Sequence, residues 1–228
     1  LLKQELRQFI LAKFLLDEEE AAKAPEGFQT AALKGSKAPY RYSLQISSMD
    51  CTGCGSCVAC CPANEKAINM TPATALLEKT ENWEYALTLS DKGDQFDPKT
   101  VKGSQFRQPL LEFSAACAGC GETPYLKVLT QLFGDRMIIA NATGCSSIYG
   151  GSSPTCPYTK NKEGHGPAWA NSLFEDNAEY GYGMNLAYQA RRTALKAPVA
   201  ALAEKWNEWA DGKAACENWL ANIDDAEG

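Results

Sequence analysis

Apolar side chains recur at a helical spacing near the start of the chain. They are Leu2, Leu6, Phe9, Ile10, Leu15 and Leu16. An acidic run at residues 17–20 follows them. Because a period of about 3.6 residues is typical of one helix face, the pattern predicts an amphipathic helix within residues 1–23.

Alternation typical of a strand comes next, after a linker containing proline and glycine at residues 25–39. Tyr42, Leu44 and Ile46 alternate with polar residues and predict a strand that ends at the first group of cysteines. Residues 67–70 predict a second short strand beyond that group. A cysteine loop between two short strands is typical of a small α+β ferredoxin-like domain, which we place at residues 1–80.

The middle of the chain predicts a connection and then an α/β domain. Residues 73–109 are polar and rich in turn formers, and we interpret residues 81–110 as a connecting segment. A helix with Thr123 as its N-cap, Pro124 in its first turn and Gly134 at its end is predicted next. Residues 137–140 then predict a buried strand that ends in a loop of small residues, 143–147. Open α/β sheets bind their ligands at this end of a strand.

The remaining residues predict a long loop and further helices. Residues 150–166 are rich in Gly, Ser and Pro and predict an irregular loop, and residues 176–196 predict a helix that Gly181 and Gly183 weaken. Helices are also predicted within residues 199–223, where Trp206, Trp209 and Trp219 are expected in the core. We assign residues 111–228 to the α/β domain.

Composition and charge narrow the possible functions. The 228 residues are 45% hydrophobic and 22% charged, which is ordinary for a globular protein. The net charge of −6 and the absence of basic clusters with interleaved aromatics argue against nucleic acid and anionic membranes as partners. No secretion signal or long apolar stretch is present, so we expect a cytoplasmic protein or one in the matrix of an organelle.

The ten cysteines favour metal binding over disulfides, since seven of them lie in two tight groups. The first group has the spacing CxxCxxCxxxCP, formed by Cys51, Cys54, Cys57 and Cys61, with Cys60 as an additional thiol. This spacing is typical of bacterial ferredoxins, in which three thiolates bind one [4Fe–4S] cluster and the fourth binds its neighbour. A zinc site, which usually uses two separated CxxC pairs, is the competing interpretation.

The second group, Cys117 and Cys120 followed by Glu122, is a weaker signal. A single CxxC fits zinc, thiol redox chemistry or a cluster equally well. If the predicted helix packs on the strand after it, Cys145 can reach the same sheet edge and complete a shared metal site. Glu122 alone is an ordinary carboxylate near a helix N-terminus. His165 is interpreted as a turn residue.

Several segments strongly resemble the pyruvate:ferredoxin (flavodoxin) oxidoreductases, also called pyruvate synthases. They are FLLDEEE with APEGF, SSMDCTGCGSCVACCP, SAACAGCGETPYLK, ATGCSSIYGGSSPTCPYT and GHGPAWANSLFEDNAEYGYGM. The resemblance covers residues 14–228. It implies a homodimeric enzyme that oxidises pyruvate with coenzyme A to acetyl-CoA and carbon dioxide. It also implies thiamine diphosphate with Mg²⁺, three [4Fe–4S] clusters, and ferredoxin or flavodoxin as electron acceptor.

The resemblance also implies a role for individual residues. Cys117, Cys120 and Cys145 match ligands of the cluster nearest the thiamine, and Glu122 and Cys145 match residues that line the thiamine pocket. The first cysteine group matches ligands of the two outer clusters. We assign Cys156 and Cys216 no role in the chemistry.

Two departures from the family pattern limit these expectations. The family has another cysteine motif before FLLDEEE, but residues 1–13 contain no cysteine, and Glu5 lies near the position of the final one. The family's segment that binds diphosphate and magnesium has no match up to Gly228. We therefore expect a fragment, part of a longer subunit or a degenerate copy, inactive by itself. An electron-transfer module and a vestigial protein without a complete cofactor site are the alternatives to an enzyme.

Overall fold

A computed structural model describes residues 11–35, 39–65, 67–152, 156–206 and 209–225. Its strands are β1 (Leu11–Leu16), β2 (Ala31–Ala32), β3 (Arg41–Ile46), β4 (Ile138–Asn141) and β5 (Ala168–Asn171). The helices of the first half are α1 (Glu18–Ala22), α2 (Ser56–Ala59), α3 (Ala73–Leu77), α4 (Thr80–Thr88) and α5 (Val101–Ser104). Those of the second half are α6 (Thr123–Phe133), α7 (Cys145–Ser147), α8 (Asn177–Lys205) and α9 (Ala210–Asn222). The chain thus has a mixed α and β structure with small sheets.

The described residues form two compact units. The first contains those within Leu1–Ile139 and Gly144–Trp169, and the second contains those within Ala140–Thr143 and Ala170–Gly228. Strands β1, β3 and β2 form a three-stranded antiparallel sheet in that order, and β4 pairs with β5. No helix among the described residues is both long enough and apolar enough to cross a membrane.

The start of the chain differs from its sequence prediction. Residues 11–16 form a strand, not a helix, because each of them pairs with β3 from Leu11↔Ile46 to Leu16↔Arg41. Tertiary pairing commonly overrides a local pattern of this length. The helix begins only after Asp17, whose carboxylate accepts from the Glu20 N–H while the Glu20 carboxylate accepts from the Asp17 N–H. This capping box was readable in the sequence. Residues 1–10, including Glu5, lie outside the described residues.

The first core lies beneath the three-stranded sheet. Leu16, Phe28, Ala86 and Leu89 are buried together, and the ring of Phe14 lies edge-on to that of Trp83 with centroids 5.9 Å apart. Burial of this kind stabilises by about 1.5–3 kcal/mol per large apolar side chain. Trp83, Ala86 and Leu89 come from the segment that the sequence predicted as a connection. That segment contains helices α3, α4 and α5, so its turn formers separate short helices.

The other predictions of elements have mixed outcomes. Strands β3 and β4 and helix α6 are confirmed, but the prediction that β4 is buried is wrong, since Ile138 is 42% exposed and the rest of the strand is only partly buried. The N-cap of α6 is Glu122, and Thr123 is its first residue. The strand predicted at residues 67–70 is wrong, because these residues pair with none of the strands in the two sheets. The predicted helix at 176–196 extends to Lys205 despite Pro198. In the second unit Lys196 Nζ lies 3.3 Å from Asp224 Oδ2, which links α8 to the end of α9.

A small ionic network ties α1 to the residues after α4. Lys92 Nζ lies 2.5 Å from Glu20 Oε2 and 3.7 Å from Asp17 Oδ2. The Ser90 hydroxyl also donates to Glu20 Oε1 at 2.8 Å. Burial of Glu20 opposes its ionisation, but the hydrogen bonds from Lys92, Asp17 and Ser90 outweigh that effect and lower the pKa of Glu20 to about 2.

We expect Glu20→Gln to destabilise the first unit by about 1 kcal/mol at pH 7, because the ion pair and its hydrogen bonds are weakened. The pKa of Glu20 is lower in the folded state than its ordinary value of 4.5. The stabilisation is therefore complete above pH 4.5 and is lost as the pH falls toward 2. Urea unfolding followed by tryptophan fluorescence at pH 7 and pH 3 measures both effects.

Glu19→Gln is the matched control for this experiment. Glu19 Oε1 pairs with Lys23 Nζ at 2.6 Å on the exposed face of the same helix, so its loss should leave the unfolding midpoint nearly unchanged. An equal shift in the two variants, or a Glu20 effect that is the same at both pH values, would contradict the assigned role of the network.

Candidate functional site

The first cysteine group lies on a loop that begins where β3 ends. The Ser47 hydroxyl donates to Asp50 Oδ2 at 2.6 Å, and the Cys51 N–H donates to the Ser47 carbonyl. Gly53 and Gly55 have φ values of 69° and 74°, a left-handed conformation that glycine adopts without strain. These two turns allow the chain to wind tightly between the first three cysteines. The fourth, Cys61, lies just beyond α2.

The thiols of this loop are suited to metal ligation. All ten cysteines are free, and none of the five in this group is buried. The Ser56 hydroxyl, 3.5 Å from Cys54 Sγ, and the Ser56 N–H lower the pKa of the Cys54 thiol. Hydrogen bonds of this kind favour the thiolate, which is the form that binds a metal. The donors present therefore fit an iron–sulfur cluster.

The second cysteine group forms a tight turn at the N-terminus of α6. The Cys120 N–H donates to the Cys117 carbonyl at 3.0 Å, and Gly119 has φ 74°. The backbone N–H groups of Thr123 and Glu122 lower the pKa of the Cys120 thiol. Both N–H groups lie at the start of the helix, where they have no partner within it. The helix thus provides donors for a thiolate at Cys120.

Cys145 begins a short helix, although the sequence predicted a loop of small residues at 143–147. Helix α7 continues into one stretch of π-helix, Ile148–Ser152. The Ser147 hydroxyl and the Gly144 N–H fix its start, with Gly144 N lying 2.9 Å from Ser147 Oγ. Short π-helical segments occur often at functional sites. Cys145 is exposed at the beginning of this helical segment.

A hydrogen bond joins the second cysteine loop to the Cys145 segment. The Tyr149 hydroxyl donates to Glu122 Oε2 at 3.0 Å, across 27 residues of sequence. Tyr149 is only 2% exposed, and burial, followed by the Glu122 carboxylate, raises the pKa of its hydroxyl. The Cys120 thiol makes a further, smaller contribution to the raised pKa of Tyr149.

Backbone hydrogen bonds join the segment before the second cysteine group to the segment after the Cys145 helix. Leu111 and Tyr158 form an antiparallel bridge, in which the Glu112 N–H donates to the Pro157 carbonyl at 2.7 Å. The Thr159 N–H donates to the Leu110 carbonyl at 3.1 Å. Burial, the Cys156 thiol and the Glu122 carboxylate raise the pKa of Tyr158 to about 12. Two tyrosines therefore lie near Glu122, and both stay protonated at neutral pH.

The Trp169 ring packs closely against the backbone of Gly150 and Gly151. A Cβ atom on Gly150 would lie 3.1 Å from Trp169 Nε1, and one on Gly151 would lie 2.4 Å from Trp169 Cζ3. Only glycine allows the ring to approach the backbone this closely. The ring thereby fixes the segment that follows Tyr149.

Convergence of Cys117, Cys120 and Cys145 on one cluster stays a prediction. Among the described residues, no three His, Cys, Asp or Glu side chains are close enough to hold a single metal ion. A tetrahedral zinc site needs sulfur atoms about 4 Å apart. The thiolates of a cubane are farther apart, because each binds a different iron atom. This finding therefore assigns the second cysteine group neither to zinc nor to a cluster.

Comparison with known proteins shows what this chain is similar to. No family model matches the chain. The pyruvate:ferredoxin oxidoreductase of Moorella thermoacetica, however, is 55% identical over 224 residues. The chain matches a segment of the pyruvate:ferredoxin (flavodoxin) oxidoreductases. This confirms the resemblance seen in the cysteine motifs.

Other relatives agree, and each match covers a small part of a much longer protein. The pyruvate-flavodoxin oxidoreductase of Klebsiella pneumoniae is 55% identical over 222 residues, and the NADP⁺-dependent pyruvate dehydrogenase of Cryptosporidium parvum is 56% identical over 189. The first two matches cover 94% of this chain and 18% of each relative, and the third covers 82% and 10%. The chain therefore spans less than a fifth of these curated relatives.

Sequence reasoning missed Tyr149, the tyrosine that donates to Glu122. Tyr149 follows Cys145 by four residues, which places both on one side of a helix. That signal was unusable as long as the segment was interpreted as a loop. His165 lies in a turn, as predicted, where its N–H donates to Asn161 Oδ1 at 2.9 Å. Cys216 is buried, and Cys156 Sγ contacts the Gly150 carbonyl oxygen.

Proposed function

We propose that this chain is part of an enzyme that oxidatively decarboxylates pyruvate. Pyruvate and coenzyme A give acetyl-CoA, carbon dioxide, one proton and two electrons. The carbon–carbon bond to the carboxylate breaks, a carbon–sulfur bond to coenzyme A forms, and the electrons leave singly. Within this enzyme, residues 1–80 serve as a ferredoxin-like domain, 81–110 as a connection and 111–228 as the first part of a thiamine-binding α/β domain.

The observation that carries the proposal is the hydrogen bond between Glu122 and Tyr149. It links a carboxylate two residues after Cys120 to a helix that begins at Cys145. A carboxylate for an organic cofactor and thiols for an electron acceptor are thus parts of one compact unit. This is the arrangement that passing electrons from a cofactor to a nearby cluster requires.

The cofactors are thiamine diphosphate with Mg²⁺ and [4Fe–4S] clusters. Bound thiamine diphosphate supplies the carbon centre that stabilises the negative charge left by decarboxylation. Glu122 orients it, and Cys145 lines its pocket. Cys117, Cys120 and Cys145 hold the nearest cluster as thiolates, which the helix N–H groups favour at Cys120. The ligands proposed for the outer clusters are Cys51, Cys54, Cys57 and Cys61.

Ferredoxin or flavodoxin is the proposed electron acceptor, since both are named among the relatives. A further relative is named for NADP⁺ and is equally similar in this region. The matched residues are therefore common to enzymes named for different acceptors, and we propose that other parts of the enzyme determine the choice of acceptor. We propose a homodimer in the cytoplasm or an organelle matrix.

Anaerobic assay of the protein that contains this chain tests the function. Reduction of a viologen dye should require both pyruvate and coenzyme A, and should release one carbon dioxide for every two electrons. Glu122→Gln should reduce the rate and weaken thiamine diphosphate binding. Clusters that accept electrons from a donor but never from pyruvate would show a bare electron-transfer module instead.

A further inference from the structure

Tyr149 is a buried group beside an exposed one. Its side chain is 2% exposed, whereas Glu122 is exposed at the molecular surface. An exposed carboxylate by itself samples several rotamers, and fixing it costs conformational entropy. The hydrogen bond of 3.0 Å from the Tyr149 hydroxyl restricts Glu122 Oε2 to one position. The fixed partner is thus the phenol, and the positioned partner is the carboxylate.

The surroundings explain why the phenol does not move. Ser147 fixes the start of the helical segment, and the Trp169 ring packs against Gly150 and Gly151 directly after Tyr149. The Ser147 hydroxyl and the Trp169 ring therefore restrain the backbone on both sides of Tyr149. A buried ring with two rotatable bonds has little freedom left under these conditions. The phenol hydroxyl also needs a partner, because a buried donor without one is costly.

We propose that Tyr149 is a positioning residue that holds the Glu122 carboxylate in the orientation required for binding thiamine diphosphate. This inference rests on the proposed function, which assigns Glu122 to the cofactor. Tyr149 itself touches neither substrate nor cofactor and acts through Glu122. Because it shares a helix with Cys145, it also ties the orientation of the carboxylate to a cluster ligand.

The chain offers a matched control in Tyr158. This second tyrosine is also partly buried and interacts electrostatically with Glu122. Within the described residues, however, its hydroxyl donates no hydrogen bond to that carboxylate. Removing either hydroxyl deletes one oxygen from the same neighbourhood. Only the Tyr149 change removes a contact to Glu122.

The test measures thiamine diphosphate binding to the complete, cofactor-depleted protein in the presence of Mg²⁺. Quenching of tryptophan fluorescence gives the dissociation constant, and iron content and the unfolding temperature are recorded for every variant. Tyr149→Phe should weaken binding about tenfold with iron content and unfolding temperature unchanged, since one hydrogen bond to a charged group is lost. Tyr158→Phe should bind as tightly as the wild type.

A double-mutant cycle separates positioning from structural damage. Tyr149→Phe should have no further effect in the Glu122→Gln background, because the carboxylate on which it acts is gone. The same should hold in the Glu122→Asp background, whose shorter side chain cannot reach the phenol. Glu122 is exposed, so these variants change the pair without disturbing the core and decide the matter even if Tyr149→Phe is less stable.

The experiment distinguishes failure of the positioning role of Tyr149 from failure of the proposed function. If Glu122→Gln weakens thiamine diphosphate binding and Tyr149→Phe does not, the positioning role is wrong and the proposed function stands. Additive effects in the double variants also overturn the positioning role. If Glu122→Gln binds thiamine diphosphate as tightly as the wild type, the assignment of Glu122 in the proposed function is wrong.

Discussion

Cys54→Ala should remove one [4Fe–4S] cluster from the protein that contains this chain, a loss of about four iron atoms and four acid-labile sulfides. Cys54 lies on the tight loop formed by Gly53 and Gly55, and its pKa is lowered by its hydrogen bonds with Ser56. A cluster that keeps three of its four thiolates is labile. Iron and sulfide analysis of anaerobically purified protein measures the loss, and electron paramagnetic resonance of the reduced protein shows which signal disappears.

Cys60→Ala is the control for this variant. Cys60 is exposed on the same loop but lies outside the CxxCxxCxxxCP spacing. Its removal should leave iron and sulfide unchanged. Stoichiometric zinc without sulfide in the wild type, or equal iron loss in both variants, would show that the spacing has been misinterpreted.

Cys145→Ala should remove a different cluster and stop pyruvate-dependent dye reduction almost completely. The thiol lies at the start of the helical segment that carries Tyr149, so the cluster proposed for it is the one nearest the proposed cofactor site. Without that cluster, electrons have no acceptor next to the site of decarboxylation. Iron content should fall by about four atoms, and the dye should still be reduced by a chemical donor through the outer clusters.

Cys156→Ala provides the comparison, because Cys156 is also exposed and lies close to the same segment, with its Sγ 3.2 Å from the Gly150 carbonyl oxygen. This variant should keep its iron and its activity. A structure of the cluster-loaded protein should show the sulfurs of Cys117, Cys120 and Cys145 on a single cube. Full iron content in Cys145→Ala, or a Cys145 sulfur directed away from the other two, would contradict the assignment.

Elements with purely local signals were predictable from the sequence. Alternation of Tyr42, Leu44 and Ile46 predicted β3, and Pro124 with Gly134 predicted both ends of α6 to within a residue. Prediction failed where distant partners decide the structure. Residues 11–16 are a strand only because β3 pairs with them, and the polar segment around α4 is ordered by Trp83 and Ala86 in the core.

In the candidate site, too, features with local signals were predictable and features that depend on distant residues were not. Cysteine spacing is a local property, so both thiol groups were recognisable. Tyr149 was not, since its partner Glu122 lies 27 residues earlier and only the folded chain brings the two together. The helical nature of the Cys145 segment was hidden by its glycines and serines, which are typical of loops. Tertiary packing of Trp169 against Gly150 and Gly151 favours the helical conformation there.

The backbone bridge between Leu111 and Tyr158 has a consequence for cluster assembly. It closes a long stretch of chain whose two ends carry Cys117 and Cys120 on one side and Cys145 on the other. The chain entropy lost in bringing these ends together grows with the logarithm of loop length. Because backbone hydrogen bonds form the bridge, contacts of the chain itself offset this cost. The bridge therefore narrows the range of separations between the two thiol groups that a shared cluster would have to close.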